Sequence, residues 1–391
     1  MLTTSDLEGA VELASLENFA VSGIKDSTFF DHAPLDTMPR GRLTLIGCNS
    51  GIQLATRVAN EYNRRLGHLK RRPLEEQERV IAHPATHDIF SDHEIISTIE
   101  ESVDGADVYV FSTPQDPTQA KWNLSDNILN MLFVGDALRD NGASHLTLVI
   151  PYLPYSRQEK TTPGKRQPIS AAWLARAIAD AGYDRVICLD VHSKAIRGFY
   201  TAVKVRFTPL DSFGFFLNYF EQFREDPNTQ FVALDAGAFP MGNYLSRALN
   251  LPLGQATKIR HSGDETEHVQ IIGVGRRRVL LGDDIIATAG SIESLGNRLH
   301  NEYGVEEIYV AASHGLFTGP AMERLQRMHD SGLLKEVVIT NSVTHADGKL
   351  PSFLKVHDLV STLALVANRA HYSRSVSKAF YMPQRLGRNG G

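Results

Sequence analysis

The chain has 391 residues, 42% of them hydrophobic, and a formal charge of −5 from 40 Lys and Arg against 45 Asp and Glu. That length suits two domains that each bury a core, and the 22% charged fraction excludes a disordered chain. The acidic balance argues against a nucleic-acid binder, no apolar run approaches the ~18 residues of a membrane span, and the two cysteines, Cys48 and Cys188, both in apolar runs, exclude a disulfide framework or zinc cluster.

Residues 1–41 mix polar and apolar types, with Pro34 and Pro39 before the first strand-like run. They read as an N-terminal extension, either a helix docked on the body or a loose tail. They lack a basic-then-apolar leader pattern, which makes the cytoplasm the expected compartment. From residue 42 a regular rhythm sets in. Apolar runs at 43–46, 108–112, 146–150, 186–189, 231–234, 279–281, 308–312 and 337–339 read as parallel strands covered on both faces. Segments between them, such as 169–181 and 291–303, carry helical periodicity. The expected class is α/β, with mostly parallel sheets flanked by helices. The aromatic-rich stretch 210–228 is the expected crossing between two groups of strands. Segments 70–79 and 113–124 read as insertions, and 385–391 as a flexible tail.

Ligands of open α/β sheets bind beyond the carboxyl ends of strands. The most informative such segment is Gly282-Asp283-Asp284-Ile285-Ile286-Ala287-Thr288-Ala289-Gly290-Ser291. A strand at 279–281 would deliver two adjacent carboxylates, then a loop of small residues, then a helix. Two acids can accept hydrogen bonds from vicinal sugar hydroxyls. Backbone N–H groups from Thr288 to Ser291 can surround a phosphate at the helix N-terminus. The same pattern also suits an ordinary strand–turn–helix with a capping serine and an ion-paired acid.

This segment resembles the phosphoribosyl-binding loop of type I phosphoribosyltransferases and of ribose-phosphate pyrophosphokinases. Two further segments are similar to the pyrophosphokinases: Pro151-Tyr152-Leu153-Pro154-Tyr155-Ser156-Arg157-Gln158-Glu159-Lys160 followed by Gln167-Pro168-Ile169-Ser170, and Asp190-Val191-His192-Ser193 followed by Ile196-Arg197-Gly198-Phe199-Tyr200. Smaller matches are Phe90-Ser91-Asp92-His93-Glu94, Ser313-His314-Gly315, Asn341-Ser342 and Ser375-Val376-Ser377, in family order from about 43 to 380. The resemblance implies two similar type I phosphoribosyltransferase-like domains. The first, 42–208, would carry the ATP segments. The second, 209–384, would carry the ribose 5-phosphate loop, with its last helix packing on the first domain. It also implies a reaction: transfer of the diphosphoryl group of ATP to the C1 hydroxyl of ribose 5-phosphate.

By the same resemblance, Lys258 and Arg260 are the catalytic cations that neutralise transition-state charge. Asp283, Asp284, Ala287, Thr288, Ala289, Gly290 and Ser291 bind ribose 5-phosphate. Phe90, Asp92, Glu94, Arg157, Gln158 and Glu159 bind ATP, the first three from a neighbouring subunit. His192 and Asp235 hold Mg²⁺, with Asp190 orienting His192. Read without the resemblance, Lys258 and Arg260 are solvated surface, His192 is a capping histidine, and Phe90 is a buried aromatic beside solvated acids. The implied partners are ATP, ribose 5-phosphate and further copies of the chain, with no nucleic acid and no membrane. Ala287 replaces a usual third acid, Ala236-Gly237-Ala238 the usual paired glycines, His93 a usual glycine and Glu159 a usual Asp; Lys194 and Arg197 stand where glutamines are more common. These departures leave a catalytically impaired regulatory homologue as one alternative, and a phosphoribosyltransferase as another.

Overall fold

The computed structural model describes residues 39–119, 121–259, 268–345 and 350–376. The first half opens with β1 (Leu43–Gly47), α1 (Ile52–Lys70), β2 (Ala82–Pro84), β3 (Thr86–Ile89), β4 (Ile95–Thr98) and β5 (Asp107–Phe111). It continues with α2 (Leu124–Asp140), β6 (His145–Val149), α3 (Ser170–Asp180), β7 (Arg185–Leu189), α4 (Ile196–Ala202) and β8 (Arg206–Leu210). Its sheet has the order β2-β1-β5-β6-β7-β8, all neighbours parallel. The strands are Val-, Ile- and Leu-rich because helices cover both faces; every residue of β5 and β7 is buried. At the turn from β1 into α1, Gly51 lies so close to β5 that a Cβ would fall 1.9 Å from the Phe111 carbonyl oxygen. Only glycine fits there.

The second half contains α5 (Phe213–Phe220), β9 (Thr229–Ala233), α6 (Phe239–Leu249), β10 (Leu253–Ile259), β11 (His268–Ile272), β12 (Arg278–Ile286) and α7 (Gly290–Tyr303). Then come β13 (Glu307–Gly315), α8 (Ala321–Asp330), β14 (Leu334–Thr340), β15 (Leu354–His357) and α9 (Val360–His371). The sheet order is β11-β10-β9-β12-β13-β14-β15, parallel except for the β10–β11 pair. The aromatic stretch expected at the crossing forms α5, whose Phe216, Leu217 and Phe220 are buried with residues of α6.

Two elements leave these layers. Among the described residues, strands β3 and β4 pair only with each other and form an antiparallel hairpin. Its tip is closed by a hydrogen bond from the Phe90 N–H to the Glu94 carbonyl, 2.9 Å long. His93 sits in that turn at φ 71, a left-handed backbone where glycine is the unstrained choice. Helix α9 crosses back from the second half and packs on the first sheet beside α1. Leu363, Ala364, Leu365, Val366 and Ala367 share one core with Leu45, Leu54, Val58, Tyr109 and Phe111. At its end His371 Nδ1 lies 2.8 Å from Asp107 Oδ2, with both side chains buried.

The described strand β12 is longer than the run 279–281 suggests. It continues through both acids to Ile286, because β13 is equally long and supplies ladder partners as far as Ile286↔Gly315. The acids therefore stand on a paired strand, not in the loop after it.

Candidate active site

In each sheet the strand order reverses once. In the second sheet the reversal lies between β9 and β12: β10 and β11 extend one way, β13 to β15 the other. A crevice opens beyond the carboxyl ends of the strands at such a point. Asp235 follows β9 there, and Asp283 and Asp284 stand on β12.

Successive strand residues face opposite sides of a sheet, so the two acids meet different surroundings. Asp284 Oδ2 lies 2.8 Å from Nδ1 of His192, which follows β7 of the first sheet. That hydrogen bond raises the His192 imidazole above its ordinary value against the effect of partial burial, and the charges of Glu159 and Arg157 also bear on it. Burial opposes ionisation of Asp284, but the His192 contact outweighs it and holds the carboxyl below the usual range. Asp283 goes the other way. Burial, then the charge of Asp284, pushes it well above the ordinary carboxylate value, and the charge of Asp235 adds to this. The two neighbouring carboxyls are thus pushed in opposite directions, Asp284 towards its charged form and Asp283 towards its neutral one, which suits accepting from one hydroxyl and donating to the next.

Beyond Ile286 the chain forms the short loop into α7. Among the described residues, no backbone hydrogen bond uses the N–H groups of Thr288, Ala289, Gly290 or Ser291. Four donors at a helix start are left for an anion. Ala289 holds the turn at φ 57, and Arg324 of α8 ties it down by donating to the Thr288 carbonyl at 2.9 Å while pairing with Glu293 at 3.1 Å. Thr288 and Ser291 are exposed. The Ala287 methyl turns instead into a small apolar cluster of Tyr152, Leu316 and Val343. A carboxylate there would be desolvated, so Ala287 offers a ligand its backbone alone.

Asp190 does not orient His192. Its enclosed carboxylate accepts from the Ser212 N–H at 3.1 Å and from the hydroxyls of Ser212 and Ser313, joining the end of β7 to the second half. Burial raises it to about 6 despite these bonds. His314 reinforces the joint: Nε2 donates towards the carbonyls of Asp190 (3.0 Å) and Leu189 (3.2 Å), and Nδ1 lies 2.8 Å from Ser342 Oγ. Burial lowers its pKa.

Asp235 uses Oδ1 to accept from Gly237 (2.8 Å) and Ala238 (3.0 Å), capping the entry to α6. Its Oδ2 and His192 Nε2 make no described hydrogen bond. No group of three or more His, Cys, Asp or Glu side chains is arranged to hold a metal among the described residues. Arg157 and Gln158 are exposed and Glu159 is half-buried, after Tyr155 at φ 59. Phe90, 51% exposed, and Asp92 and Glu94 stand on the β3–β4 hairpin, and no described contact brings them to the acid pair within one chain. Only the backbone of Lys258 is described, in β10, and Arg260 lies outside the described residues.

Sequence reasoning missed Ser212 and Arg324. Ser212 and Arg324 carry no local signal, since their roles depend on partners far along the chain.

Residues 43–182 match a family model described as the N-terminal domain of ribose phosphate pyrophosphokinase, and 215–350 match the phosphoribosyl transferase domain. A ribose-phosphate pyrophosphokinase of Oceanobacillus iheyensis is 31% identical over 339 residues, 86% of this chain and 97% of the relative. One of Bacillus subtilis is 32% identical over 292 residues, 74% of this chain and 87% of the relative. Among solved structures, the phosphoribosylpyrophosphate synthetase of Mycobacterium smegmatis aligns with TM-score 0.70 and 26% identity, covering 85% of this chain and 99% of that one.

Proposed function

The chain belongs to the ribose-phosphate pyrophosphokinase family and acts as a ribose-phosphate diphosphokinase, and we propose that its reaction takes place in the cleft where β7 of the first sheet meets β12 of the second. The C1 hydroxyl of ribose 5-phosphate attacks the β-phosphorus of ATP. The bond from that phosphorus to the α,β-bridging oxygen breaks, and AMP leaves with the electron pair. Such a transfer needs positioning and positive charge more than covalent catalysis.

The observation that carries the location is the 2.8 Å contact between His192 and Asp284, which sets a residue of the ATP-side half against the ribose-side acids. Asp283 and Asp284 hold the ribose hydroxyls. The free N–H groups of Thr288 to Ser291, with the Thr288 and Ser291 hydroxyls, hold the 5-phosphate. Arg157 and Gln158 meet the triphosphate and base, with Glu159 behind them. Lys258 and Arg260 close on the phosphates and neutralise charge as the β-phosphorus is transferred. The exposed Phe90 with Asp92 and Glu94 completes the ATP site of a second copy, which makes the chain a homo-oligomer. We place the protein in the cytoplasm.

Magnesium keeps most of its waters and needs few protein groups. The free Nε2 of His192 and Oδ2 of Asp235 fit that requirement. They would hold the ion, whose part is to draw negative charge from the triphosphate.

The test is AMP formation from ATP and Mg²⁺ by the purified chain, with and without ribose 5-phosphate. AMP that depends on the sugar is expected. Bound ATP without turnover would favour a regulatory homologue, a reading to which the capping role of Asp235 and the loss of an acid at Ala287 point.

A further inference from the structure

The insertion at 70–79 takes no part in the reaction above, yet it lines an open cavity at the surface. The cavity measures about 870 Å³ and is lined by Asn60, Asn63, Arg64, Gly67, His68, Arg71, Arg72, Pro73, Leu74 and Arg79. Helix α1 starts beside the carboxyl end of β1 and runs for 19 residues, roughly 28 Å by helix rise, to the opposite edge of the sheet. The cavity sits at that far end, away from the cleft.

Its lining is one-sided in charge. Four arginines and a histidine are among its lining residues, Arg71, Arg72 and Arg79 being exposed, and no acidic residue is, in a chain whose net charge is −5. Two of the four are neutralised from outside the lining: Arg64 by Glu61 at 2.8 Å and Arg72 by Glu78 at 2.8 Å. Arg71 and Arg79 make no described side-chain contact. Arg71 also sits at φ 53, a left-handed turn that ends α1 and folds Arg72, Pro73 and Leu74 back over it. Asn63 pins the other edge through two 2.8 Å bonds to the backbone of Val80. Both rims of the cavity are therefore fixed by the chain's own bonds. The wall between the charges is apolar, from buried Leu74 with Pro73 and Gly67.

We propose that this cavity is a second ligand site, which takes a phosphate-bearing small molecule of about nucleotide size. Arg71 and Arg79 supply charge-assisted hydrogen bonds to the phosphate oxygens, and the Leu74 and Pro73 wall covers the organic body. The volume lies within the range of small-molecule pockets.

The probe is inorganic pyrophosphate, titrated calorimetrically in EDTA into the full chain. Arg71→Gln/Arg79→Gln is compared with Arg276→Gln/Arg277→Gln, an exposed arginine pair elsewhere. In the first variant alone, one binding site per chain is lost or weakened at least about ten-fold, while ribose-dependent AMP formation stays unchanged. If the double variant unfolds, Arg79→Gln replaces it with the same expectation. An unchanged titration in the Arg71/Arg79 variant, an equal loss in both variants, or no binding to the unaltered chain would overturn the proposal.

Discussion

At the scale of single residues, neighbouring carboxyls on one strand have opposite fates because their partners differ. Asp284 has His192; Asp283 is dominated by burial and the charge of Asp284, although its Oδ1 accepts from the Asp284 N–H at 2.9 Å. Asp190 is a third case, raised to about 6 by burial although three hydrogen bonds favour its charge. Its folded value lies above the ordinary 3.8, so the folded chain binds more protons than the unfolded one between those two values. This group therefore lowers stability as pH rises through that window. Asn at this position keeps an acceptor oxygen without the charge. The urea unfolding free energy of Asp190→Asn relative to the unaltered chain is expected to improve by about 2 kcal/mol between pH 4 and pH 7. A difference that stays constant with pH would refute this. The acid pair and His192 were legible in the sequence because each follows an apolar run. The task of Asp190 was not, because its partners Ser212 and Ser313 stand 22 and 123 positions away.

At the scale of elements, the phosphate-binding loop depends on α8. Arg324 holds the Thr288 carbonyl and pairs with Glu293, which Arg327 also grips at 2.7 Å. Arg324→Ala is expected to raise KM for ribose 5-phosphate roughly ten-fold with little change for ATP, as steady-state kinetics would read. Equal changes for both substrates would remove Arg324 from a loop-positioning role. Helix α9 is the other dependency, since it finishes the core of a sheet whose strands lie between residues 43 and 210, far earlier in the chain. Leu365 is fully buried there, and Leu365→Ala should cost about 2–5 kcal/mol in urea unfolding. A loss below 1 kcal/mol would mean that α9 is only loosely held. Central strands were readable because burial on both faces makes them continuous apolar runs. The short strands β2, β8, β10, β11 and β15 carry mixed residues such as Arg206-Phe207-Thr208-Pro209-Leu210, and only their sheet neighbours make them strands.

At the scale of the molecule, two α/β halves meet along a seam of buried polar contacts, and the reaction needs one substrate from each. Asp190 accepts from Ser212 and Ser313 across that seam, and Thr113 Oγ1 lies 3.3 Å from Thr344 Oγ1. The seam fixes the cleft, so a change on one side should alter the substrate of that side only. The most direct measurement is AMP formation as a function of each substrate for Asp283→Asn and Arg157→Ala. The prediction is a crossed pattern: Asp283→Asn raises KM for ribose 5-phosphate at least about ten-fold and spares ATP, and Arg157→Ala does the reverse. If both variants shift the same substrate, or neither shifts any, the division of the site between the two sheets is wrong.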